Sequence, residues 1–82
     1  MQATDQQIRE AITSLLNNRT PPATICPSEA ARMLAEDGWR SLMPRVRAVA
    51  VAMAHEGSLE IRQRGRKMEP GQPLRGPIRL GR

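Results

Sequence analysis

The sequence predicts a mainly α domain of three helices closed by a small β-hairpin, and three observations predict it. Apolar residues recur at three- and four-residue steps in three separate stretches before Gly57. After Gly57 they alternate singly with polar neighbours, the period of a half-buried strand. The breaks between stretches fall at Pro and Gly, the residues that end helices and form turns. At 82 residues the chain has room for one domain, residues 1–82, built on one core. A domain of this size buries only about 60% of the surface its unfolded chain exposes.

The first helix is expected from about Thr4 to Asn17. Thr4 with Gln7 fits a capping box, and Ile8, Ala11, Ile12, Leu15 and Leu16 form one apolar stripe. Pro21 and Pro22 follow, and Thr24-Ile25-Cys26 reads as a few residues of extended chain. A second helix starts at Pro27, since Pro suits the first helical position and Glu29 suits the positive end of the dipole. It is expected to reach about Glu36, with Asp37-Gly38 as the turn and Gly38 left-handed. Trp39 to Met43 leads into the third helix, with Pro44 in its first turn and Gly57 as its stop. Leu42, Val46, Val49, Ala50 and Met53 share its core face. Residues 58–63 and 77–80 then pair as an antiparallel hairpin with Leu59, Ile61, Ile78 and Leu80 turned inward. The loop between them runs from about Arg64 to Gly76.

This order, with an extended piece between the first two helices and a terminal hairpin, is that of a winged helix. The second and third helices make a helix-turn-helix, and the basic wing spans about residues 62–76. The alternative is a three-helix bundle with a disordered basic tail. The alternation of Ile78 and Leu80 argues against it.

Several runs carry a resemblance: Ile25-Cys26-Pro27-Ser28-Glu29-Ala30-Ala31-Arg32, then Trp39-Arg40 with Leu42-Met43-Pro44 and Val46-Arg47, and finally Gly76-Pro77-Ile78-Arg79-Leu80. They resemble a family of small bacterial proteins known as domain of unknown function 3253. The resemblance covers nearly the whole chain and is most specific where a Pro-Ser-Glu helix start precedes the Trp-Arg pair. It implies a winged-helix-like domain in bacteria and supplies no activity.

All the excess positive charge lies in the last third. Residues 1–56 carry six basic and six acidic groups, whereas residues 57–82 carry seven basic against two acidic, the whole net charge of +5. Such asymmetry points to a polyanionic partner, nucleic acid foremost. The expected contacts are phosphate contacts from Arg62, Arg64, Arg66 and Lys67 on the wing, aided by Arg40, Arg45 and Arg47 on the third helix, to duplex DNA with little sequence preference. With no Phe or Tyr there is no aromatic shelf for stacking single-stranded bases. The bland reading of the same charges is a solvated loop, with Arg75, Arg79 and Arg82 as ordinary surface.

The outward face of the third helix carries Pro44, Ala48, Val51, Ala52 and His55 and has no Asn or Gln to read adenine. That favours a rival reading, a protein-interaction or homodimerisation module in which Ala48, Val51 and Ala52 meet the partner. Cys26 and His55 read as a small core residue and a helix-end residue. One Cys and one His cannot build a structural zinc site, which takes about four ligands. Gly71 and Gly76 lack the Lys and Ser or Thr of a phosphate loop. The expectation is therefore no enzyme, no catalytic residues, no metal and no cofactor. No apolar run approaches ~18 residues, and the first five residues lack the features of a secretory signal, so a cytoplasmic protein with no membrane partner is expected.

Overall fold

A computed structural model describes residues 3–69 and 71–82. Helix α1 (Asp5–Asn17) begins as its sequence requires: the Thr4 hydroxyl accepts from the Gln7 amide at 3.1 Å, and the Gln7 side chain accepts from the Thr4 amide at 2.9 Å. Helix α2 (Pro27–Leu34) starts at the expected proline and buries Pro27, Ala30 and Ala31. It stops two residues short of Glu36, because Ala35 is extended and the exposed Glu36 and Asp37 have no core to face. Gly38, at φ 76°, makes the left-handed turn.

Helix α3 (Trp39–His55) buries Leu42, Val46, Val49, Ala50, Met53 and Ala54. It begins at Trp39 itself, so Pro44 lies in the second turn and not the first. Proline there withholds the amide that would bond the Arg40 carbonyl, a loss tolerated because the ring is on the exposed side. The methionines divide: Met53 is core, Met43 and Met68 are half-buried, and Met33 is 56% exposed.

The sheet differs most from expectation. Strand β1 (Glu60–Gln63) is central and pairs antiparallel with β2 (Arg66–Met68) on one side and β3 (Arg79–Gly81) on the other. The β1–β3 pairing is the expected one, and Leu59, Ile61, Ile78 and Leu80 are all buried. Arg66-Lys67-Met68, however, is strand and not loop. Arg64 (φ 52°) and Gly65 (φ 78°) turn the chain in two left-handed residues, which matches the twist of the strands they join. Ile25 adds an isolated bridge to Leu80, so the piece between α1 and α2 joins the far edge of the sheet.

One core of Ile8, Ile12, Leu16, Ile25, Ala30, Val46, Ala50, Ile61, Ile78 and Leu80, among others, joins the helices to the sheet. The result is three helices plus a three-stranded antiparallel sheet, a winged-helix-like arrangement with a strand added in the wing. Among the described residues no helix is long and apolar enough to cross a membrane.

Candidate nucleic-acid interface

The register of the sheet decides where the wing charges go. Arg62 is opposite Lys67 on β2 and opposite Arg79 on β3, so three cations form one row across one face. Ile61, Met68 and Leu80 make the neighbouring row, which turns inward. Like charges placed directly opposite repel, and the fold relieves this locally. Glu60 pairs with Arg62 at 3.0 Å and stands 3.6 Å from Lys67. Arg79 donates from Nε to the Thr24 hydroxyl at 2.9 Å and from Nη2 to the Thr24 carbonyl at 3.0 Å. The Nε of Arg62 is buried without an acceptor among the described residues.

Beyond this row the positive charge is uncompensated. Arg64 at the turn, Arg66 on β2 and Arg75 in the following loop are exposed, and their guanidinium groups make no ion pair or hydrogen bond among the described residues. Gln63 brings that loop close: its Nε2 donates to the Arg75 carbonyl at 2.6 Å and to the Pro77 carbonyl at 3.3 Å. Hairpin and loop thereby enclose a groove of about 820 Å³ whose lining includes Arg62, Arg64, Arg66, Arg75 and Arg79. Lys67 is not part of it. Arg82 is tied instead to Asn17 of α1, at 2.6 Å.

The arginines of α3 separate. Arg45 faces α1, donating to the Ala3 carbonyl at 2.7 Å and pairing with Asp5 at 2.5 Å, so its charge is largely met within the fold. Arg47 lies on the opposite flank, near the wing, where Nη2 reaches the Leu74 carbonyl at 3.4 Å. Arg40 precedes Arg47 by two helical turns on that same flank. There it stacks over the Trp39 ring. Trp39 itself is half-buried at the α2–α3 junction and packs against the core.

Sequence reasoning missed the covering of α3. Leu74 and Val51 are both half-buried against the core, and a Cβ on Gly71 would lie 3.9 Å from His55 Cε1. The chain that follows β2 thus crosses the outward face of α3, leaving a cleft of about 400 Å³ lined by Pro44, Arg47, Ala48, Val51 and Leu74, among others. Ala48 and Ala52 remain exposed. The three residues named for a partner interface therefore do not form one open stripe. Pro70, within the expected wing, lies outside the described residues.

Cys26 is half-buried at the start of α2. Its thiol sulfur accepts from the Ser28 hydroxyl at 3.0 Å, and its amide donates to Glu29 at 2.7 Å. At the other end of the fold, Arg9 of α1 forks onto Glu56 at the end of α3 with two bonds of 2.7 Å. Those bonds hold the Glu56 carboxyl below the usual carboxylate range and raise the Arg9 guanidinium.

The sequence profile of a family described as protein of unknown function (DUF3253) matches residues 5–82, from the first residue of α1 to the C-terminal residue. The chain belongs to that family. In this DUF3253 protein the matched region includes all three helices and all three strands, so the arginine groove falls within the family domain. No curated protein matches the sequence.

Proposed function

We propose that this domain binds nucleic acid, duplex DNA, by clamping backbone phosphates in the wing groove, with little preference for sequence. One observation carries the reading: Arg64, Arg66 and Arg75 converge on one groove with no counter-charge bound to any of them among the described residues. Arginine presents five donors in a planar fork that matches phosphate oxygens. Arg62 and Arg79 stand behind them, already oriented by Glu60 and Thr24. Arg47 and Arg40 extend the charge along the wing-side flank of α3. Arg45 contributes least, because Asp5 already neutralises it.

Weak sequence preference follows from the outward face of α3. It offers Pro44, Ala48 and Val51 where base reading needs amides or free guanidinium groups, and the chain after β2 lies over part of it. Phosphate contacts position a protein on a duplex without specifying bases. Titration of labelled random duplexes at several salt concentrations tests the reading. Neutralising about four phosphates gives a slope of log K against log salt close to −4. The interaction-module reading retains Ala48 and Ala52 as exposed apolar contacts, and the cytoplasm remains the expected location.

A further inference from the structure

Outside the wing groove, two further cations without an ion-pair partner among the described residues meet at the junction of α2 and α3. The guanidinium carbons of Arg32, in the last turn of α2, and Arg40, in the first turn of α3, stand 4.4 and 4.5 Å from the centroid of the same indole, Trp39. Both arginines are exposed, while the ring is half-buried and rests against the core. Each cation is attracted to the negative face of the ring. A side chain already held on a rigid surface also loses less freedom when it meets a ligand.

The ring orients these charges but does not neutralise them. Two cations on one indole repel each other, and among the described residues neither guanidinium has an ion pair. Glu29, three residues before Arg32, is already paired with Arg19, and the exposed Glu36 and Asp37 make no ion pair with either guanidinium. An anion at the exposed edge of the indole, within reach of both guanidinium groups, would relieve their repulsion and gain hydrogen bonds from both. The position indicates which anion. Arg40 shares the wing-side flank of α3 with Arg47, whose guanidinium reaches the loop that borders the wing groove.

We propose that Arg32 and Arg40, held on Trp39, form a second phosphate site that takes a backbone phosphate of the same duplex held by the wing groove. This inference rests on the nucleic-acid reading above. It adds Arg32 to the interface and assigns Trp39 a role as the platform that orients both cations.

Trp39 is the chain's only tryptophan, so its emission reports on the proposed site without labelling the protein. The full chain is titrated with a fluorescently labelled random duplex of roughly 15 base pairs, long enough for the contacts invoked, at several salt concentrations. Anisotropy follows binding anywhere on the protein, and indole emission follows the site. The expected result is an emission change that saturates together with the anisotropy. Arg32→Gln combined with Arg40→Gln should make the salt slope shallower by up to about two units, alike on all sequences. Arg64→Ala with Arg66→Ala should also flatten the slope but leave the emission change at saturation. Duplex binding with silent indole emission, or a slope that the Gln pair does not move, overturns the second site and leaves the wing reading standing. Absence of duplex binding at low salt overturns both. The emission readout uses the wild-type chain, so a variant that fails to fold does not remove the test.

Discussion

Ile25 and Leu80 exchange both of their backbone hydrogen bonds, each at 2.8 Å, and so fasten the segment before α2 to the last strand. Because an antiparallel residue directs its N–H and C=O to one side, Leu80 makes its pair with Ile61 in the non-hydrogen-bonded register, where side chains lie closer. Leu80 is fully buried between these two isoleucines. The basic end of the chain is therefore a structural member of the fold.

Leu80→Ala should accordingly cost about 2–5 kcal/mol, the range for deleting a buried leucine side chain. A chain of this length has a total stability of roughly 4–12 kcal/mol. The melting temperature should fall by at least about 8 °C in a circular-dichroism melt. Removal of residues 77–82 should abolish cooperative folding, since it strips the partners of Ile25 and Ile61 together. An unchanged melt after that truncation contradicts the sheet as described.

Arg64 should be replaceable at a gain in stability and a loss in binding. Its φ of 52° is a left-handed conformation that non-glycine residues adopt at a cost, and its guanidinium has no partner among the described residues. Arg64→Asn places a residue that tolerates this conformation at the turn and should stabilise the domain by up to about 1 kcal/mol. Duplex affinity should fall at the same time. A variant that is both less stable and unchanged in binding contradicts the role given to the turn.

Much of this fold was legible because its causes are local. The Thr4–Gln7 cap, Pro27 at the start of α2, Gly38 at the turn and the core stripe from Leu42 to Met53 each follow from one short run of residues. Strand β2 was hidden for two reasons. Arg66 and Lys67 show no apolar alternation, and the turn before them carries Arg where Asn is the usual sign. The candidate site divides in the same way. The charge of Arg64 and Arg66 is visible in sequence, but the groove depends on Gln63 reaching Arg75 and Pro77. The neutralisation of Arg45 depends on Asp5, 40 residues away. Arg32 could be joined to Trp39 only by the α2–α3 packing.

Acid should weaken the junction between α1 and α3. The Glu56 carboxyl is held below its unfolded value by Arg9, so it binds fewer protons when folded. Its contribution is present above the ordinary carboxylate pKa of about 4.3 and is lost as the pH falls through the lower folded value. Glu56→Gln should therefore reduce the dependence of melting temperature on pH between about pH 5 and 2, with a small effect that high salt diminishes because the pair is exposed to solvent. An identical pH profile for wild type and variant contradicts the coupling.

Sedimentation separates the nucleic-acid reading from the interaction module. Val51 is half-buried, so a charge there disturbs the fold as well as any interface; exposed Ala48 and Ala52 are cleaner probes. The nucleic-acid reading predicts a monomer whose sedimentation Ala48→Glu and Ala52→Glu do not change. An oligomer that dissociates on either substitution, with an unchanged melt, moves the assignment to the interaction module.

The most direct test of the central claim is the salt dependence of duplex binding by wild type and by Arg64→Ala, Arg66→Ala, Arg75→Ala combined. The account predicts a wild-type slope near −4 for about four neutralised phosphates. The triple variant should have a slope shallower by up to about three units, with an equal loss of affinity on unrelated sequences. No binding at low salt, or a slope that the triple substitution leaves in place, contradicts the wing groove as the phosphate site.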